Sequence, residues 1–283
     1  MSEKYKMAVC QMDSIGDKAK NLAFAAEMIR QAADEGAVLI AFPETMNFMG
    51  KGYRHQAETL EGETFSFMKG QAQQYHMWIV TGSIPIIHES GKPTNTLALI
   101  SPEGRLVCTY SKLHMFDVDI EDGAAFQESK SNTAGDEIVL ADTPLGMLGF
   151  SICYDLRFAE MYRLMALAGA RVIFVPSSFT AKTGEAHWES LLRARAIENG
   201  IYIAAPAQTG HKAVSDAYGH AMIIDPWGRI LAEKKEGTGL IFAEIDPQMP
   251  ERIRQQIPSL KNRREDIYQL LTKEMKVYGY EYH

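Results

Sequence analysis

Gly36-Ala37-Val38-Leu39-Ile40-Ala41-Phe42-Pro43 is matched later in the chain by Gly169-Ala170-Arg171-Val172-Ile173-Phe174-Val175-Pro176. Each is a short apolar run, rich in branched residues and bounded by Gly and Pro, as a buried strand should be. A second pair of similar segments follows in the same order, residues 95–105 (NTLALISPEGR) and 219–229 (GHAMIIDPWGR), both reading as strand, Pro-x-Gly turn, strand. Helical spacing leads into each glycine: Leu22, Ala25, Ile29 and Ala32 before Gly36, and Phe158, Met161, Tyr162, Met165 and Ala168 before Gly169. A second helix per half is predicted by Phe65, Met68, Ala72 and Tyr75, and by Trp188, Leu191, Leu192, Arg195 and Ile197 before Gly200. Apolar strands follow at 78–84 and 201–206. Each half therefore reads β-α-β-α-β plus a hairpin, a duplication that predicts a layered α/β fold with both sheets in one core. No Ser/Gly-rich linker divides the halves, so residues 1–283 are expected to form a single domain. The tail, 247–283, is expected to carry a helical stretch around 265–276 and, through Tyr278, Tyr280 and Tyr282, to dock on a second subunit.

Composition narrows the function classes. With 283 residues, 46% hydrophobic and 23% charged, the chain has the balance of a soluble globular protein rather than a disordered or fibrous one. Its net charge of -7 and lack of a long basic run offer no footprint for a phosphate backbone, so nucleic acid is not an expected partner. Three cysteines, Cys10, Cys108 and Cys153, cannot all pair with one another, and none has the close neighbour of a zinc site or redox CxxC. A reducing compartment fits. The first residues turn directly into a strand-like Met7-Ala8-Val9-Cys10 without an apolar signal core, and no run approaches the roughly 20 apolar residues of a membrane span. The expectation is a cytoplasmic protein with no membrane partner.

In open α/β sheets ligands bind beyond the carboxyl ends of strands. Three reactive side chains fall there: Glu44 after the strand ending at Pro43, Lys112 after 106–110, and Cys153 after 147–152, where it opens a helix. Backbone N–H groups and a helix N-terminus favour a thiolate at such a junction. Taken singly, each has a plainer explanation: a small buried hydrophobe, a turn cap, a solvated strand end. Together they form a constellation able to do acyl transfer, because a thiol with a pKa of roughly 8.5 is only a few per cent ionised at neutral pH and needs a base. Histidine is the usual base, which keeps His114, His187, His211 and His220 open as candidates, with His187 opening the helix of Trp188.

The text around the three residues resembles the signatures of the nitrilase superfamily of carbon-nitrogen hydrolases. The resemblance rests on Phe42-Pro43-Glu44, on Tyr110-Ser111-Lys112-Leu113-His114-Met115-Phe116-Asp117, and on Ile152-Cys153-Tyr154-Asp155-Leu156-Arg157-Phe158. It continues through Phe126-Gln127-Glu128-Ser129, Gly184-Glu185-Ala186-His187-Trp188-Glu189, Tyr218-Gly219-His220 and Asp225-Pro226-Trp227-Gly228, so it covers nearly the whole chain. The stretch 116–120 and the Trp188 helix are most similar to the omega-amidase and deaminated-glutathione amidase branch. The resemblance implies a four-layer αββα sandwich with internal pseudo-two-fold symmetry, Cys153 as nucleophile, Glu44 as general base and acid, Lys112 as oxyanion stabiliser and Glu128 as the carboxylate beside Lys112. The Tyr154 N–H is expected as a second oxyanion donor. No metal or organic cofactor has a task in such chemistry.

The substrate expected from this resemblance is a short carboxylated linear amide, an ω-amide of an α-keto acid such as 2-oxoglutaramate or deaminated glutathione. Arg157 is expected to grip its carboxylate, since related carbamoyl hydrolases hold one with an Arg at the matching position, although pairing with Asp155 or Glu160 is the alternative. Phe179 and Phe48 are expected as apolar walls. Nitrilase and N-carbamoyl amidohydrolase activities stand as alternatives within the same chemistry, and a non-catalytic binding relative as one outside it. The resemblance also implies a homodimer or larger even assembly.

Overall fold

The computed structural model of the chain describes residues 3–119, 125–212 and 215–280. The first half runs β1 (Tyr5–Met12), α1 (Lys18–Asp34), β2 (Leu39–Ala41), α2 (Glu63–Tyr75), β3 (Trp78–Ile86), β4 (Thr94–Ile100) and β5 (Leu106–Ser111). A small ribbon, β6 (Asp117–Val118) with β7 (Phe126–Gln127), leads to β8 (Ile138–Thr143). The second half repeats the scheme as β9 (Gly146–Phe150), α3 (Ala159–Leu167), β10 (Val172–Phe174), α4 (Ala181–Asn199) and β11 (Tyr202–Ala205). It then inserts a ribbon, β12 (Ala207–His211) and β13 (Asp216–Tyr218), before the hairpin β14 (Ala221–Ile224) and β15 (Ile230–Lys234). β16 (Gly239–Ile245), α5 (Met249–Gln256) and β17 (Met275–Gly279) complete the chain.

The duplication read in the sequence is visible in strand order. One sheet contains β1-β2-β3-β4-β5 and the other β9-β10-β11-β14-β15, each in the same succession. β16 pairs antiparallel with β1 as β8 pairs antiparallel with β9. The inserted β12–β13 ribbon breaks the symmetry: β12 crosses to the first sheet and pairs parallel with β1.

Two apolar clusters show the layers. Met7, Val9, Leu39, Val80 and Leu97 from the first sheet share one core with Leu140, Leu148, Phe174 and Ile203 from the second, and Met161, Met165, Trp188 and Leu192 of α3 and α4 belong to that cluster. On the other face of the first sheet, Ala8, Cys10, Ile40 and Ile79 meet Leu22, Ala25 and Ile29 of α1 and Phe65, Met68 and Ala72 of α2. Successive residues of a strand point to opposite faces, so β1 supplies Met7 and Val9 to one layer and Ala8 and Cys10 to the other. The result is a four-layer αββα sandwich. Gly36, at φ +75°, ends α1 in the left-handed conformation that the sequence pattern requires there.

Two expectations are corrected. Residues 265–274 form no helix; turns lead instead to β17, which adds to the edge of the second sheet in parallel with β8. An isolated helix needs a buried face, and Ile267 and Leu271 are 70% and 80% exposed, so no face was on offer. The open edge of β8 was, and Val277 and Tyr278 suit a strand. Tyr280 packs edge-on against Trp78 with ring centroids 4.9 Å apart, while Tyr282 lies outside the described residues. Second, His187 does not open the helix of Trp188, because α4 begins at Ala181, well before it.

Candidate active site

Glu44, Lys112 and Cys153 lie just past the ends of β2, β5 and β9, and the two sheets bring these ends together at one cavity. Lys112, 2% exposed, donates to Glu44 Oε1 at 3.1 Å and to Glu128 Oε2 at 2.8 Å. Glu128 opens a 3₁₀ turn that follows the β6–β7 ribbon, and the Phe116 N–H donates to its Oε2 at 2.8 Å. The second oxygen of Glu44 accepts from the Ser178 N–H at 2.9 Å. The Asn95 amide donates to Glu44 Oε1 at 2.9 Å and reaches Glu128 Oε1 at 3.5 Å. Carboxylates only accept, so these contacts fix the Asn95 side chain with nitrogen toward both acids.

Charge follows geometry. Burial disfavours the Lys112 ammonium, but the neighbouring Glu44 and Glu128 carboxylates overcome this and hold its pKa well above the usual lysine range. Burial likewise opposes ionisation of Glu128, yet the Lys112 charge and hydrogen bonds from Lys112, Phe116 and Asn132 keep its pKa below the usual carboxylate range. The Cys153 thiol moves the other way: burial and the Glu44 charge push it well above its ordinary pKa, against the smaller pull of Lys112 and the Ser178 amide. The Cys153 side chain is therefore a neutral thiol in contact with a carboxylate. The thiolate-favouring effect anticipated at the strand-to-helix junction is outweighed here by desolvation.

The backbone holds this arrangement under strain. Cys153 has φ +50°, in the left-handed region that non-glycine residues seldom occupy, and it begins a 3₁₀ turn, Cys153–Arg157. The Tyr154 N–H stands second in that turn, where a helix's own ladder offers no acceptor. Buried Asp155 ties the turn to the end of β5: it accepts from the Ile152 N–H at 2.8 Å, from the Tyr110 hydroxyl at 2.6 Å and from the His114 N–H at 3.0 Å. The Cys153 turn and the end of β5 that carries Lys112 are thus joined by one carboxylate. Glu44 is held from a third direction by Gln208, which donates to its carbonyl at 2.9 Å and to the Ser14 hydroxyl at 2.7 Å.

The other sequence candidates divide. Phe179 lines the cavity of about 510 Å³ together with Tyr53, Phe116, Phe126 and Asn132, whereas Phe48 and Arg157 do not. Phe48 is buried against Gly16 and Gly50, so Met49 and Gly50 form that part of the wall. Arg157 lies over the rings of Tyr154 and Phe179, 5.8 and 5.4 Å from their centroids, and 3.4 Å from His187 Nδ1, pairing with neither Asp155 nor Glu160. His114 pairs with Asp155, His211 with Asp216 and His220 with Glu233; none of the four histidine candidates lines the cavity, which removes the Cys-His reading. Ile120, within one family-like stretch, lies outside the described residues. Among the described residues no cluster of His, Cys, Asp and Glu is placed to hold a metal, and no helix is long and apolar enough to cross a membrane.

This geometry can be set beside known proteins. The pattern of the carbon-nitrogen hydrolase family matches residues 6–255. The chain belongs to the carbon-nitrogen hydrolases. Among relatives of this hydrolase, a deaminated glutathione amidase of Synechocystis sp. (strain PCC 6803 / GT-S) is 44% identical over 266 residues, covering 92% of this chain and 98% of the relative. The omega-amidase NIT2 of Homo sapiens is 36% identical over 268 residues, 93% and 96% of the two chains. The crystal structure of Saccharomyces cerevisiae Nit3, a member of branch 10 of the nitrilase superfamily, is similar with a TM-score of 0.84 and 33% identity, covering 93% of this hydrolase and 98% of Nit3. The nitrilase-superfamily fold and a hydrolase acting on carbon-nitrogen bonds of amides are thereby assigned.

Asn95, Asn132, Ser178, Gln208 and Lys212 escaped the sequence reading. Asn95 carried a usable signal, a polar residue at the start of a strand buried at every position. A buried amide in that setting needs partners, and here its nitrogen finds them in the two acids while its oxygen has none among the described residues.

Proposed function

We propose that this hydrolase cleaves the terminal amide of a short carboxylated compound, an ω-amide of a dicarboxylic α-keto acid such as 2-oxoglutaramate or the larger deaminated glutathione, releasing ammonia. The observation that carries the chemistry is the buried Glu44–Lys112–Glu128 cluster in contact with a neutral Cys153 thiol. As Cys153 Sγ bonds to the amide carbon, Glu44 takes the thiol proton, so no free thiolate has to be stabilised in advance. The negative charge developing on the carbonyl oxygen is met by the fixed Lys112 ammonium and the Tyr154 N–H. Glu44 then gives its proton to the nitrogen as the carbon-nitrogen bond breaks, leaving a thioester and ammonia. Water, losing a proton to Glu44, attacks the thioester; the thiol takes that proton back and the acid departs. Glu128 keeps Lys112 charged throughout. The substrate class is supported by the names of the two relatives above and by a cavity of about 510 Å³, in the range of small-molecule sites.

The test is a comparison of kcat/KM for 2-oxoglutaramate, deaminated glutathione, glutamine, an N-carbamoyl amino acid and a simple nitrile. One of the first two is expected to lead. Glutamine or the nitrile ahead by more than about tenfold, roughly 1.4 kcal/mol of transition-state preference, removes the reading.

We infer a single domain and an even assembly on similar grounds. One core joins residues of both halves, which supports a single domain over the chain. The C-terminal part exposes Ile257, Ile267, Tyr268, Leu271 and Val277, a set that supports docking on a second copy in a homodimer or larger even assembly. A cytoplasmic setting fits three free, buried cysteines.

A further inference from the structure

We propose that Lys212 is the residue that holds the substrate's carboxylate. The assignment rests on the reading of the substrate as a carboxylated amide and goes beyond it by naming the group that selects for the charge. Two cationic side chains line the cavity among the described residues, Lys112 and Lys212. Lys112 is committed to two carboxylates at 3.1 and 2.8 Å. One ammonium is thus already shared by two acidic side chains and has little attraction left for a third anion, so the substrate carboxylate must be met by something else. Arg157 does not line the cavity and is stacked on Tyr154 and Phe179.

Lys212 has the properties the task needs. Its side chain is 11% exposed, and it donates to Asp13 Oδ1 and, at 3.1 Å, to the Ser14 carbonyl. An ammonium has three N–H bonds, and the third has no partner among the described residues. The Asp13 side chain is 43% exposed, so water shares its charge, while the ammonium is largely withdrawn from water and its field toward the cavity is poorly screened. Burial holds the Lys212 pKa below the usual lysine range despite Asp13, the condition of a cation that gains from one more anionic neighbour. Lys112 between Glu44 and Glu128 shows that this fold already places one ammonium between two carboxylates.

Lys212 is also built into the frame of the catalytic base. Its acceptor Ser14 receives the Gln208 amide at 2.7 Å, and the same Gln208 nitrogen donates to the Glu44 carbonyl at 2.9 Å. Gln208 lies on β12 and Lys212 directly follows it, in the ribbon that breaks the symmetry between the halves. The asymmetry of the fold thus delivers a cation to the cavity and registers it against Glu44.

The experiment compares 2-oxoglutaramate with pentanamide, an uncharged amide of similar length, in wild type, Lys212→Met and Lys212→Arg. Wild type is expected to favour 2-oxoglutaramate. Lys212→Met should lower kcat/KM for 2-oxoglutaramate at least about tenfold more than kcat/KM for pentanamide, with the extra loss carried by KM; Lys212→Arg should restore most of that difference. Should Lys212→Met not fold, the same ratio is read in Lys212→Gln. Equal losses on both amides would make Lys212 a structural support of Glu44 and overturn the assignment. So would an unchanged preference, or a preference abolished by Arg157→Gln but not by Lys212→Met. A wild type with no preference for the charged amide overturns the substrate reading and this assignment with it, a result distinct from a preference that survives loss of Lys212.

Discussion

Glu44 meets four different groups, and each contact excludes a different error. Lys112 and Asn95 fix one oxygen, Ser178 the other, and the Cys153 thiol takes up the remaining approach. Removing one member therefore leaves the others in place but without their shared task. Cys153→Ala is expected to abolish ammonia release with circular dichroism and Tm nearly unchanged, and Glu44→Gln and Lys112→Ala each to lower kcat at least about 100-fold. An acyl adduct on Cys153, trapped and read by mass spectrometry, is the positive counterpart; Cys153→Ala with near wild-type turnover would exclude the thioester route.

Glu128 acts at the same scale through charge. Its folded pKa is lowered, so its carboxylate contributes stability that is present above the unfolded value of roughly 4.3 and is lost as pH falls through the folded value. Lys112 has a raised pKa, so its contribution is present below roughly 10.4 and is lost as pH rises through its folded value. Glu128→Gln should flatten the acid side of a Tm-against-pH curve. Without that carboxylate, burial should bring the Lys112 pKa down and shift the alkaline limb of the kcat profile to lower pH. An unmoved alkaline limb would mean that Glu44 alone holds the lysine charged.

Among elements, the irregularity in β3 matters more than the regular strands. The β3–β4 register shifts between Val80 and Ser83, and Gly82 sits there at φ +67°. A Cβ on Gly82 would come 2.1 Å from the Pro43 carbonyl oxygen, one residue before Glu44. Gly82→Ala is expected to destabilise by about 2–4 kcal/mol, combining a left-handed alanine with an overpacked contact, and to lower kcat because the backbone that must yield carries Glu44, the proposed base. Gly36→Ala has a similar φ of +75° but nothing within 4 Å of its Cβ, so it should lose about 1 kcal/mol and keep kcat. Equal kcat in the two variants would mean that Glu44 is insulated from β3.

For the whole molecule, the exposed Ile267, Tyr268 and Leu271 lie in a segment with little secondary structure of its own before β17. A monomer would leave these side chains in water. Sedimentation at micromolar concentration is expected to give a mass at least twice the 31.6 kDa of the chain, and a value near one chain mass would overturn the even assembly. The match of the two halves, strand for strand, explains why so much of this architecture is legible in one sequence. Buried strands repeat as Gly-to-Pro apolar runs, helix stops repeat as glycines, and the reactive residues fall where such strands end.

Local physics thus reaches Glu44, Lys112 and Cys153, which stand at strand ends, and the family resemblance adds Glu128, because both kinds of signal are written in short consecutive text. It does not reach Asn95 against Glu44, Gln208 against Ser14, or Asp155 between the ends of two sheets, since those contacts join residues 51, 194 and 45 positions apart in pairs such as Asn95–Glu44, Gln208–Ser14 and Asp155–Tyr110. Arg157 and Phe48 show the limit from the other side: proximity in sequence to Cys153 and Glu44 put both in the site, and packing took both out of the cavity lining. The tail shows it again, where composition favoured a helix and the free edge of β8 made a strand. The repeated strands and the reactive side chains at their ends are legible in consecutive residues, whereas the distant side chains that hold them and the cations that line the cavity are set by the fold, because burial and pairing belong to the assembled layers and not to any segment.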